Sequence, residues 1–129
     1  MAMIYREFRI EAPIERVWDA LADFGALQTK LAPGFVVDCQ LEGEVRTVTF
    51  GNGRVVQERL VGLDPAVQRL AYAIIDGPAT HHQASAQVFS DGDATRFVWI
   101  TDVLPDSLAA PFGSMMDQGI IAVKKALES

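Results

Sequence analysis

The chain has 129 residues, half of them apolar and 22% charged, which excludes a disordered or collagen-like chain and suits one globular domain over residues 1–129. Seventeen acidic against eleven basic residues give a net charge of −6, which argues against nucleic acid and anionic membrane as main partners, since both reward clustered Lys and Arg. The single cysteine, Cys39, excludes an intramolecular disulfide and a cysteine-based zinc cluster, no run approaches the ~18 apolar residues of a membrane span, and a reducing cytoplasm is the expected location.

Met3 to Glu11 alternates, with Ile4, Phe8 and Ile10 on one face, and predicts a first strand rather than a signal peptide. Pro13 suits the first position of a helix, where its missing N–H costs nothing, and Ile14, Val17, Trp18 and Leu21 follow at helical spacing. A short second helix over Asp23 to Lys30 would pack Phe24 and Leu27 before Pro33-Gly34 ends it. Six further strands follow: Phe35 to Glu42, Val45 to Phe50, Arg54 to Leu63, Gln68 to Ile75, His81 to Ser90 and Thr95 to Leu104. They are broken at Gly43, Gly51-Asn52-Gly53, Asp64-Pro65, Asp76-Gly77-Pro78 and Asp91-Gly92-Asp93, and connections this short need antiparallel neighbours. Leu108, Phe112, Met115, Met116, Gly119, Ile120, Val123 and Leu127 mark a last amphipathic helix. It is expected over Pro111 to Glu128, because Pro111 would break an interior hydrogen bond. The segregated order predicts an α+β fold, with the sheet curling round the final helix.

Alternation sorts the faces. Polar residues mark the solvent side, so Arg46, Val48 and Phe50 face in on the third strand and Val56, Glu58 and Leu60 on the fourth. A three-residue Gly51-Asn52-Gly53 loop pairs Arg46 with Glu58 and Val48 with Val56, whereas a two-residue loop would reverse the faces. Leu70, Tyr72 and Ile74 form the inner set of the fifth strand. On the sixth, His82, Ala84, Ala86 and Val88 face in and His81 faces out. On the seventh, Phe97, Trp99 and Thr101 oppose Val98, Ile100 and Asp102, and either side is buriable. Ala84 and Ala86 are too small to fill the space between a curled sheet and a helix, and packed cores seldom leave such gaps. An apolar hollow with a few convergent polar groups is the form of a small-molecule site.

Several segments resemble a known superfamily. Ala12-Pro13-Ile14-Glu15-Arg16-Val17-Trp18-Asp19-Ala20-Leu21 is similar to the opening helix of the polyketide cyclase/dehydrase and lipid transport (START/Bet v 1-like, SRPBCC) superfamily. Gly43 to Val48, Glu58 to Asp64 and Leu70 to Gly77 resemble segments of its bacterial cyclase-like and plant receptor branches. The resemblance implies the helix-grip fold: a seven-stranded antiparallel sheet wrapped round a long C-terminal helix, with an internal apolar cavity. It also implies that Glu58, Tyr72 and Ile74 line the pocket. A lysine that the receptor branch carries before its second strand is absent here, where Ala32-Pro33-Gly34 stands.

The expected ligand-binding set is Arg46, Val48, Val56, Glu58, Tyr72, Ile74, His82, Ala84, Met115 and Gly119. Arg46 and Glu58 serve either as a working pair or as a structural ion pair. As a working pair, Glu58 is an acid or base on a ligand carbonyl and Arg46 stabilises an oxyanion. As a structural pair, each partner keeps the other's buried charge compensated. His82 is a second candidate for proton transfer, or else a rim histidine bonded to a loop. Tyr72 orients a ligand oxygen or fills the core. No residues stand at metal-ligand spacing, and no cofactor is expected. The leading function is binding of a small, largely apolar molecule, whether lipid, polyketide-like or aromatic, with an oxygen acceptor or an anionic group for Arg46. The alternative is a cyclase/dehydratase-type enzyme using Glu58 or His82. A blander reading gives the chain a filled core and a surface that mediates dimerisation.

Overall fold

A computed structural model describes residues 2–128; Met1 and Ser129, the ends of the domain expected from the sequence, lie outside the described residues. Strand β1 (Ala2–Ile10) leads into helix α1 (Ile14–Ala22) and a π-helical turn at Leu27–Leu31. Six strands follow: β2 (Val36–Glu42), β3 (Val45–Phe50), β4 (Val55–Asp64), β5 (Arg69–Ile74), β6 (His81–Asp91) and β7 (Ala94–Leu104). A 3₁₀ turn at Asp106–Leu108 then opens helix α2 (Ala109–Leu127). The strands form one seven-stranded sheet in the order β1-β7-β6-β5-β4-β3-β2, and every neighbouring pair is antiparallel. This is the helix-grip arrangement that the resemblance implies. No helix among the described residues is long and apolar enough to cross a membrane.

The expected elements are present, with local differences that have physical causes. Pro13 is the cap of α1 rather than its first residue: it holds extended backbone (ψ 152°) while its carbonyl accepts the N–H groups of Arg16 and Val17. The second helix contracts to the π-helical turn Leu27–Leu31, although Phe24 is buried as expected. Helix α2 starts two residues before Pro111. That places the proline within the first turn, where backbone N–H groups have no intrahelical acceptor, so nothing is lost there. The connection between β6 and β7 is two residues long, because Asp91 pairs with Ala94 around Gly92, whose φ is +63°.

The β3–β4 hairpin has the register expected of a three-residue loop. Arg46 faces Glu58, Val48 faces Val56, and the Phe50 N–H donates to the Arg54 carbonyl at 2.8 Å. Bulges at Val37 in β2 and Val61 in β4 shift the register by one residue each, so Val36 and Cys39 are both buried although three positions apart. On β7 the inner set is Thr95, Phe97, Trp99, Thr101 and Val103, while Asp102 is exposed on the outside.

Helix α2 is tied to one side of the sheet. Arg6 Nε donates to Asp117 at 2.7 Å and Lys124 donates to the Arg9 carbonyl at 2.9 Å. The Glu11 N–H donates to Glu128, also at 2.9 Å. All three anchors lie on β1 or just after it. Helix α1 is fixed by a buried bond: the Thr95 hydroxyl donates to the Ala12 carbonyl at 2.8 Å, with Thr95 wholly buried. Thr95→Val keeps the shape but strands that carbonyl, and should lower the unfolding free energy by about 1–3 kcal/mol in urea titrations. An unchanged midpoint would mean that the bond adds nothing.

Candidate functional site

A chamber of about 130 Å³ lies between the curled sheet and α2. Its apolar walls come from four places. Phe8, Leu70, Ala86, Phe97 and Trp99 rise from the sheet; Phe112, Met115, Met116, Gly119 and Val123 descend from α2. Leu21 closes the α1 side, and Leu27 and Leu31, one helical turn apart, close the side of the π-helical turn. Phe35 and Phe50 pack edge to face, with ring centres 5.2 Å apart, beside the exposed Arg54. Glycine at 119 is what lets the large rings approach α2: a Cβ there would sit 3.3 Å from the rings of both Phe35 and Trp99.

The polar residues lie along neighbouring strands at one level. The ladder sets Arg46 opposite Glu58, and Glu58 opposite Ile74. Arg46 and Glu58 are each only 5% exposed, so neither charge is solvated by bulk water. Arg46 donates from Nε at 2.8 Å and approaches from NH2 at 2.7 Å, both to Oε1 of Glu58. Its NH1 donates to the Phe24 carbonyl at 3.1 Å. The guanidinium also lies 3.9 Å from the centre of the Phe24 ring and 5.3 Å from that of Tyr72. Among the described residues, Oε2 of Glu58 has no hydrogen-bond partner.

Tyr72 accepts a 3.3 Å bond from Trp99 Nε1, and burial, with the Glu58 charge second, holds its phenol proton on well above the usual range. His82 continues the level beyond the β5–β6 ladder, whose last pair is Tyr72 with Ala84. The Ile74 N–H donates to His82 Nδ1 at 2.9 Å, so an imidazole stands where a strand carbonyl would be. Burial, helped by neighbouring His81, pushes the His82 pKa down to about 4. The ring is therefore neutral at pH 7, with Nδ1 occupied as an acceptor and Nε2 carrying the proton. Cys39 is buried, and burial raises its thiol pKa. Among the described residues, no group of three His, Cys, Asp or Glu is placed to hold a metal ion.

Of the residues expected from the sequence, Arg46, Val56, Glu58, Tyr72, Ile74, His82, Met115 and Gly119 line the chamber. Val48 and Ala84 do not. Both face inward, but Val48 is wholly buried in the core cluster with Cys39 and Leu70, and Ala84 is a short methyl between Tyr72 and Thr101 on the flanking strands. Parity gives the face of a strand and not the depth to which a neighbour covers it. Trp99, Thr101 and Phe112 also line the chamber; Trp99 and Thr101 sit on the strand whose two faces read alike, and Phe112 reads as an ordinary core position of α2.

Over residues 1–129 the sequence matches the family described as polyketide cyclase / dehydrase and lipid transport. No curated protein matches it. Among solved structures, an uncharacterized protein from Bacillus thuringiensis is 19% identical with a TM-score of 0.87, covering 99% of this chain and 100% of that one. A START superfamily protein from Mycobacterium smegmatis is 16% identical with a TM-score of 0.80, covering 98% and 97%. A norcoclaurine synthase point mutant from Thalictrum flavum, in complex with a transition-state analogue, is 16% identical with a TM-score of 0.71, covering 98% and 93%. At these identities the likeness is one of fold.

Proposed function

We propose that this chain, which belongs to the polyketide cyclase / dehydrase and lipid transport family, binds a small, largely apolar molecule in the chamber, oriented by Arg46, Glu58 and Tyr72. One observation carries the reading: about 130 Å³ of space is left in an interior where Ile10, Val17, Val48, Leu70 and Val88 are fully buried. A gap of that size forfeits contacts that a folded core otherwise makes, and it is apolar on most sides with polar groups at one level, the pattern of a ligand site. Lipid, polyketide-like and aromatic molecules all suit such walls.

The test uses the one lining position that lacks a side chain. Gly119→Leu drives a side chain against the rings of Phe35 and Trp99, which wall the chamber, and should weaken binding of an aromatic probe such as naphthalene by about tenfold or more, measured by calorimetry. Native mass spectrometry of the parent chain from its own host, followed by denaturation, should release a recurrent small apolar molecule that Gly119→Leu does not carry. A parent chain that is empty and takes up no aromatic probe would count against the proposal.

A second reading, proton transfer of the cyclase/dehydratase type, is favoured by the free Oε2 of the buried Glu58. In it Glu58 moves the proton and Arg46 steadies an oxyanion. His82 enters it only through Nε2, because Nδ1 is occupied by the Ile74 N–H. The norcoclaurine synthase bound to a transition-state analogue illustrates that the fold can house chemistry. Turnover of the released molecule by the parent chain, lost in Glu58→Gln, would support this reading over simple binding.

A further inference from the structure

The polar level of the chamber is selective about what it can still bond. Nε and NH1 of Arg46 donate to Oε1 of Glu58 and to the Phe24 carbonyl, NH2 lies 2.7 Å from the same Oε1, and the rings of Phe24 and Tyr72 lie against the group. A ligand carboxylate would compete with Glu58 for a guanidinium whose charge the pair already neutralises. Apart from the exposed Arg54, Arg46 and Glu58 are the charged lining residues, and they neutralise each other. A charged group placed at the level of that buried pair would thus leave water with no free counter-charge beside it.

Besides His82 and Thr101, which also line the chamber, two open hydrogen-bonding groups lie side by side on β4 and β5. Oε2 of Glu58 lacks a donor among the described residues, and the phenol of Tyr72, which accepts from Trp99, has no acceptor for its own proton among them. One vacant acceptor and one vacant donor on adjacent strands are what a single neutral hydroxyl satisfies. The space, about 130 Å³, is close to that of an engineered apolar cavity that takes up benzene. We infer that the chamber is built for a small neutral alcohol or phenol of one or two rings, whose hydroxyl donates to Oε2 of Glu58 and accepts from Tyr72. This rests on the ligand-binding reading above, and it replaces the anionic group expected for Arg46 from the sequence.

The experiment compares naphthalene, 2-naphthol and 2-naphthoate by calorimetry on the parent chain. A bond to a charged acceptor predicts that 2-naphthol binds about tenfold to a hundredfold more tightly than naphthalene, with 2-naphthoate the weakest. Tyr72→Phe should reduce the preference for the alcohol, read as the ratio of the 2-naphthol and naphthalene affinities of that variant, to about threefold or less. Because Glu58 compensates the buried charge of Arg46, the double variant Arg46→Met/Glu58→Leu provides the second arm: it removes the pair together and should abolish the preference. Equal affinity for naphthalene and 2-naphthol would overturn the inference and leave the binding function standing. Tightest binding of 2-naphthoate would overturn it in favour of an anion site. Failure of all three probes to bind would overturn both.

Discussion

Glu58→Ala should destabilise the fold by about 3–5 kcal/mol, the largest effect expected of any single substitution in the chamber. The reason is the partner it leaves behind. Arg46 is 5% exposed, cannot lose its proton, and takes two of its contacts from Oε1 of Glu58. Without the carboxylate, a cation sits among Phe24, Tyr72 and the chamber walls with only the Phe24 carbonyl to meet it. Arg46→Met should cost a comparable amount, since it strands the carboxylate in the same way. The double variant Arg46→Met/Glu58→Leu should recover most of the loss, because replacing both members of a buried pair by apolar groups is often close to neutral. Urea unfolding of the four proteins forms a cycle whose coupling energy reports the pair. Additive losses in the double variant would mean that the two side chains act independently and that the burial is not what costs.

That pair is legible in the sequence. The polar–apolar alternation of Val45 to Phe50 and Arg54 to Leu63, with three residues in the turn, leaves one register that keeps Val48 and Val56 inside, and it sets Arg46 opposite Glu58. Less local features were not legible. The bulge at Val37 resets which residues of β2 point inward, and nothing in Phe35 to Glu42 signals it. The bulge at Val61 does have a signal in Gly62, next to it in the strand, but one glycine in an alternating run does not specify a shift. β7 reads as buriable on both faces because it lies between β1 and β6, so even the outward Val98 is only 9% exposed. Depth within the inner face is set by long-range packing: Ala84 and Ala86 are alike in sequence, yet only Ala86 borders the free space.

His82 belongs to the part that sequence left open, and its pH behaviour separates structure from chemistry. Its folded pKa is lowered from 6.5 to about 4, so the native state favours the neutral ring more than the unfolded chain does. The stability this confers is fully present above the unfolded value of 6.5 and is lost as the pH falls toward 4, where both states are protonated. Between pH 7 and pH 5 the loss from this residue should be about 2 kcal/mol, rising to about 3 kcal/mol below pH 4. The physical step is that a proton on Nδ1 removes the acceptor for the Ile74 N–H and places a cation against Tyr72 and Phe112, whose ring centres lie 5.9 and 5.5 Å away. His82→Asn offers an amide oxygen to the same N–H and does not titrate. Its urea midpoint should therefore fall less steeply than the parent's over this range, by the amount above, while the surface carboxylates contribute equally to both. Identical slopes would mean that Nδ1 is not the acceptor and that His82 is open to solvent. In that case the ring would titrate near its ordinary value and become the stronger candidate for proton transfer in the chamber; a steep parent and a flat variant leave Glu58 in that place, with His82 holding the end of β5 to β6.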